Sequence, residues 1–258
     1  MKKEHIDLTA TKAKVARSKK HFDELASAIK TYLASQPYII ERITNDATGD
    51  VSDIVRVKKE IPKDWSNIVG DIVHNLRVAL DYLVTSLVEA NSNSISKSNC
   101  FPIDNSIEDY QRNSSKKLIG LSSGAIKFIN DLKPYKGGED VLWRLHKLDI
   151  QDKHARNLIV GAANRSVNLS LKMDFLGEQI NFPTLSLKPA DDLFPIADGV
   201  ALFTFNKNTA GPHDFNDNSY TFDVKFSGDK IFNEREIMTT LKELILYVEK
   251  VLDDVSKL

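Results

Sequence analysis

Between Asp64 and Ala90 the chain carries an apolar repeat that only a helix gathers onto one side. At about 100° per residue, Val69, Ile72, Val73, Leu76, Leu80, Leu83, Val84 and Leu87 form one broad face. A face that wide has to be covered by other elements of a core. Along its edge, at steps of three and four, run His74, Arg77 and Asp81, while Asn75 and Asp71 point elsewhere. A polar strip beside a buried face is half withdrawn from water, so its members need partners. Arg77 and Asp81, four apart, are spaced to pair directly.

A second polar cluster, His146-Lys147-Leu148-Asp149-Ile150-Gln151-Asp152-Lys153-His154, falls on a helix expected from about 139 to 156. There His146, Asp149 and Lys153 share a face, and Asp149 and Lys153 are again spaced to pair. The two clusters hold three of the six histidines. If their helices pack, these ionisable groups meet at one site. His154 lies two turns beyond His146, about 12 Å along a straight helix, so the two cannot share a metal. Zinc spacings are absent, with no His-Glu-x-x-His and a single cysteine, Cys100, so no metal is expected. No Walker loop, dinucleotide-binding glycine pattern or nucleophile elbow occurs, and no cofactor is expected.

The remaining chemistry is that of His, Lys, Arg and Asp. Such a set suits metal-independent acid–base work on a phosphodiester: a histidine deprotonates a ribose 2′-hydroxyl, and Arg or Lys stabilises the charged transition state. His154, His146, His74 and Arg77 are the candidate catalytic residues. Lys153 and Asn75 are candidates for substrate contact, and Asp81, Asp149 and Asp152 for orienting the others. The competing reading is that buried His/Asp/Arg networks lock helices together and do no chemistry.

The rest of the chain divides by pattern. Residues 8 to 34 read as an amphipathic helix through Val15, Phe22, Leu25, Ile29 and Leu33. Its first half is basic, with Lys12, Lys14, Arg17, Lys19 and Lys20 forming a solvated or a phosphate-facing surface. A hairpin is expected within 37 to 61, turning at Asn45 to Asp50. Shorter helices are expected near 106 to 117 and 122 to 132, before a break at Pro134-Tyr135-Lys136-Gly137-Gly138. From 157 to 228 the pattern is β, with strands at 158–162, 167–175, 178–182, 184–188, 199–206 and 219–226 and a loop at Gly211 to Asp214. A last helix starts near Glu234, capped by Asn233 with Glu236 in reciprocal position. The expected class is α+β. A helical domain (1–156, with the hairpin) precedes a mostly antiparallel β unit (157–228), and a C-terminal helix (229–258) returns to the helices.

Bulk properties narrow the partners. A chain of 258 residues, 41% hydrophobic and 28% charged, can bury a sizeable core. Its formal net charge of −1 supplies no global field for nucleic acid or an anionic membrane, although a local basic patch can still bind RNA. No stretch approaches the roughly 18 apolar residues of a membrane span. The charged start, Met1 to Asp7, is not a signal peptide, and the expected setting is the cytoplasm.

Two motifs carry a resemblance. Gly70-Asp71-x-x-His74-Asn75-Leu76-Arg77-x-Ala79-Leu80-Asp81 and Leu145-His146-x-Leu148-Asp149-x-x-Asp152-Lys153-His154, with Phe101-Pro102-Ile103 between them, resemble a widespread set of uncharacterised bacterial proteins. The helical half more distantly resembles the HEPN superfamily, helical bundles that include RNases of toxin and phage-defence systems. That resemblance implies a metal-independent ribonuclease, RNA as partner, and a homodimer with the active site across its two-fold. In those enzymes a histidine follows an arginine by a short fixed interval. Arg144 lies ten residues before His154, outside that interval, which leaves His154 alone to stand in for the family histidine. The alternative is a binding or interaction protein with a protein partner, its clusters a brace and its β unit the recognition surface, through loops such as Phe194 to Asp198 and His213 to Asn218.

Overall fold

The computed structural model describes residues 6–154, 160–169, 172–175, 178–181, 185–187, 196–209, 213–214, 218–226, 232 and 235–257, with backbone alone for 154, 160–187 and 213–214. The chain is of the α+β class. Its helices are α1 (Thr9–Ala34), α2 (Asp64–Ala90), α3 (Ile107–Lys117), α4 (Ser123–Asp131), α5 (Asp140–His154) and α6 (Ile237–Val255). Its strands are β1 (Tyr38–Asn45), β2 (Asp50–Val57), β3 (Val160–Leu169), β4 (Lys172–Phe175), β5 (Glu178–Asn181), β6 (Leu185–Leu187), β7 (Ala201–Asn206), β8 (His213–Asp214) and β9 (Ser219–Phe226). They form two compact units, one of residues 1–26, 64–158 and 238–258, the other of 27–63 and 159–237.

In the helical unit the eight apolar residues of α2 named above are all buried. Buried with them are Leu142, Leu145 and Leu148 of α5, Leu241, Leu244, Val248 and Leu252 of α6, and Val15 and Leu25 of α1. Polar contacts give the helix directions. Lys14 Nζ donates to Asn75 Oδ1 at 3.3 Å and Ser18 Oγ to the Ile72 carbonyl at 3.0 Å, so α1 and α2 run antiparallel. Asp149 meets His74 while Asp152 meets Gly70, which makes α5 antiparallel to α2. Arg144 donates to Glu243 at 2.7 Å and Tyr247 hydrogen-bonds Glu139, which makes α6 antiparallel to α5. Lys19 Nζ then joins α1 to α6 through Glu249 at 2.9 Å. The result is a ring of four alternating helices, the pattern of an up-and-down bundle.

Within that ring α2 and α5 make the closest helix pair among the described residues. Gly70 lies at this contact. A Cβ built there would sit 2.2 Å from Asp152 Oδ1, so a side chain at this position would push the Asp152 carboxylate aside. The short helices start where side-chain oxygens meet free amides, Ser106 receiving Asp109 N at 3.1 Å and Ser122 receiving Ala125 N at 3.3 Å. Asn91 and Asn93 both donate to the Gly120 carbonyl at 2.9 Å and pin the segment after α2 against the end of α3.

The described residues of the second unit form three antiparallel sheets, ordered β1-β2-β7, β6-β3-β9 and β5-β4-β8. The hairpin of β1 and β2 therefore belongs with the β unit, not with the helical half to which chain order assigns it. The free edge of β2 is satisfied by β7, some 150 residues later, a pairing no local pattern announces. Two further expectations change. The expected strands at 158–162 and 167–175 are divided differently: β3 runs continuously over 160–169, because β9 carries the polar Asn164-Arg165-Ser166 through with a register shift, and 172–175 forms β4 in another sheet. His213 and Asp214, expected in a loop, pair with Met173 and Lys172. At the last helix Glu236 forms a bridge with Lys225, and α6 starts at Ile237, three residues later than expected; Asn233 lies outside the described residues.

Among the described residues of this unit one charged side chain is buried. Asp53, 2% exposed, sits among the inward residues Val51 and Val55 of β2. Arg42 grips it from β1 with two bonds, Nε at 2.6 Å and Nη2 at 2.7 Å. The Tyr220 hydroxyl donates to the same carboxylate, as does Asn218 Nδ2 at 3.2 Å. Burial opposes its ionisation, yet the bonds from Arg42, Tyr220 and Asn218 outweigh it and hold Asp53 below the usual carboxylate range. Tyr38 stacks on Phe222 at 4.7 Å nearby, so β1–β2 and β9 face each other across both an aromatic and an ionic contact.

Removing one member of such a pair leaves its partner uncompensated, at a cost of about 3 kcal/mol. Asp53→Ala is therefore expected to lower the unfolding free energy by about that amount in urea titrations at pH 7. The effect should fade as acid protonates Asp53 in the native protein, because its stabilisation is present above the ordinary carboxylate range and lost below it. A variant as stable as the wild type at pH 7 would show the network to be idle.

Candidate functional site

The two sequence clusters meet, and they meet in two arrangements of different character. The first is open to solvent. Asp149 lies on the α2-facing side of α5 with its side chain 4% exposed. His74 Nδ1 stands 3.1 Å from its Oδ1, and Lys153 Nζ donates to its Oδ2 at 2.6 Å. His74 itself is 47% exposed and Lys153 is 46% exposed. A carboxylate only accepts, so the His74 proton is assigned to Nδ1, and Nε2 of the neutral ring keeps its lone pair. A buried carboxylate thus orients an imidazole whose other nitrogen is free to take a proton, the relation that a general base requires.

Around this dyad lie Asn75, Asp71 and Asp152. Asn75 donates to the Asp71 carbonyl at 2.8 Å and receives Lys14. Asp152 fits against Gly70. Burial, with the Asp149 carboxylate next in effect, pushes its own carboxyl above the ordinary range, while His74 and Lys153 draw it back. Among the described residues no three His, Cys, Asp or Glu side chains converge as metal ligands would.

The second arrangement is closed. Arg77, 8% exposed, donates from Nη1 to Asp81 Oδ1 at 2.6 Å and from Nη2 to the Phe101 carbonyl at 2.8 Å. Phe101 N donates to the same Asp81 oxygen at 2.8 Å. Arg77 and Asp81 therefore cap the Phe101-Pro102-Ile103 segment against α2. The arginine expected to face phosphate is spent on a backbone carbonyl inside the protein.

His146 belongs to neither set fully. Its Nδ1 is buried with no hydrogen-bond partner among the described residues. Burial pushes its imidazole down to about 4, the Arg77 guanidinium adds to this, and the Asp149 carboxylate opposes it. At neutral pH it is uncharged and is no reservoir of protons. The side chain of His154 lies outside the described residues, as do those of Phe194, His213 and the 215–217 segment.

Of the nine side chains singled out from the sequence, His74, Asn75, Asp149, Asp152 and Lys153 therefore gather at one surface, while Arg77 and Asp81 form a separate brace with His146 beside it. Two features escaped the sequence. Lys14 joins the open cluster from α1, which only the bundle's closure brings near. Asp53 in the β unit did leave a signal, a carboxylate at an inward position of the alternation Val51-x-Asp53-x-Val55. Compared with family models, with curated proteins and with solved structures, the chain gives no match. No described helix is long and apolar enough to cross a membrane.

The state of His146 has a measurable sign. In the unfolded chain its imidazole protonates near its ordinary 6.5, but in the native protein only near 4. Stability is therefore full above pH 6.5 and falls as the pH drops towards 4. The loss is about 2 kcal/mol once partial solvent screening is allowed for. Urea unfolding at pH 7 and 4.5 should show the wild type losing that much more than His146→Leu. Parallel losses in the two proteins would contradict a neutral, buried His146.

Proposed function

We propose that the open cluster of the helical unit is a metal-independent acid–base site for RNA phosphodiesters, in the manner of the HEPN ribonucleases of toxin and phage-defence systems. The observation that carries this reading is the His74–Asp149 pair, a buried carboxylate that orients a solvent-facing imidazole and also binds Lys153. In this reading His74 Nε2 takes the proton of a ribose 2′-hydroxyl. The 2′ oxygen attacks the adjacent phosphorus and the bond to the 5′ oxygen breaks. The leaving oxygen takes a proton from water, and a 2′,3′-cyclic phosphate and a 5′-hydroxyl result. Lys153 shares the Asp149 carboxylate with the imidazole and Asn75 follows it on α2; in this reading the two steady the phosphate oxygens as charge builds.

A second reading is supported by the Arg77–Asp81–Phe101 network, which is closed and positions loop backbone. If the open cluster works in the same way, the protein is a binding module and His74 a brace. The two readings differ in what His74→Ala does. A positioned base contributes about 10²- to 10⁴-fold, so the variant should cut a structured RNA at least a hundredfold more slowly, in EDTA, at a temperature where circular dichroism shows it still folded. Its products from the wild type should carry cyclic phosphate ends. No cleavage by the wild type, together with a lowered midpoint in His74→Ala, would leave only the brace.

A further inference from the structure

The outer strip of α2 continues past His74. Tyr82 is an exposed aromatic, 41% accessible, in the same unit as the open cluster. It follows Asn75 by seven residues, so at about 100° per residue the two lie nearly in line, about 10 Å apart along the helix. Lys14 of α1 spans the gap. Its Nζ is 3.3 Å from Asn75 Oδ1 and 6.0 Å from the Tyr82 ring centroid. Neither neighbour is an anion, and among the described residues no carboxylate pairs with this ammonium. Neighbouring lysines differ: Lys153 at the open cluster is bound to Asp149, and Lys19, farther along α1, to Glu249. An ammonium held between a neutral amide and an aromatic ring keeps its charge for an outside anion. An exposed tyrosine beside it offers a flat surface to a nucleobase.

From these positions we infer that Lys14, Asn75 and Tyr82 form a nucleotide subsite for single-stranded RNA, with a phosphate on Lys14 and its base stacked on the Tyr82 ring. The inference rests on the RNA reading of the His74 site and extends it. The strand lies along α2, and the stacked nucleotide sits about 12 Å from the imidazole along the helix axis. A single strand is required, because a base paired in a duplex presents no free face to the ring. Base identity is read weakly, through stacking strength, with purines held more firmly than uracil.

The test is binding, measured apart from cleavage. Fluorescein-labelled decaadenylate and decauridylate with 2′-O-methyl riboses cannot be cut by attack of the 2′ oxygen, and anisotropy reports their affinity for the full chain. Tyr82→Leu should weaken decaadenylate about tenfold and decauridylate less, as expected for loss of one stacked base. Tyr82→Phe should bind like the wild type. Lys14→Gln should reduce the slope of log affinity against log salt by about 0.7, the mark of one phosphate contact on a single strand. Tyr82 is exposed, so circular dichroism should be unchanged in either variant. Tyr82→Leu binding both oligomers within twofold of the wild type overturns the subsite, and so does a wild type that binds neither. Wild-type binding with the expected losses, but no cutting of unmodified RNA, keeps the subsite and removes the ribonuclease reading instead.

Discussion

A carboxylate withdrawn from water has to be met by donors, and Asp149 is withdrawn almost completely. Its two oxygens are met separately, one by an imidazole from α2 and one by an ammonium from its own helix. That division fixes more than the local geometry. His74 opposite Asp149 and Gly70 opposite Asp152 define the register of the closest helix pair in the unit. A slip of one turn would bury an unmet charge and drive the Asp152 carboxylate into a side chain. The apolar faces supply most of the stabilisation, at about 1.5–3 kcal/mol for each large side chain buried, but grease tolerates sliding. The polar contact is what selects a single alignment.

The polar residues of α2 sort by where the bundle leaves water. Arg77 and Asp81 face the Phe101 segment and close on it; His74 and Asn75 face the rim and stay reachable. All four lie within eight positions on one helix, at spacings that look equivalent on paper. The fates of Arg77 and His74 differ with the neighbour each one meets, a loop carbonyl for the arginine and a buried carboxylate at the rim for the imidazole. The β unit repeats the first solution with Arg42, Tyr220 and Asn218 around Asp53, where every described contact turns inward.

Elements set by local pattern were legible in the sequence. The apolar repeats of α1, α2 and α6 need only a helical period, and the turn of the β1–β2 hairpin carries its glycine, Gly49, at φ +80°. The convergence of the clusters was also legible, because each lay on the edge of a face that had to be covered. What depended on distant chain was not. The partner of β2, the continuity of β3 and the approach of Lys14 are set by residues far away in sequence, and the inward turn of Arg77 follows from a loop carbonyl that has no sequence signature. Hydrophobic period reports which side of an element is dry, but it is silent on which polar group waits there.

Gly70 bears on how this chain can be engineered. Glycine inside a helix costs about 1 kcal/mol relative to alanine, so helix glycines are common targets for raising thermal tolerance. At Gly124 near the start of α4 the space is open, and the nearest side-chain atom is 4.0 Å away. At Gly70 the added methyl would displace the carboxyl group of Asp152 and with it the charge pattern beside His74. A thermostability programme that treats the two glycines alike would harden one helix and disturb the polar seam of the other.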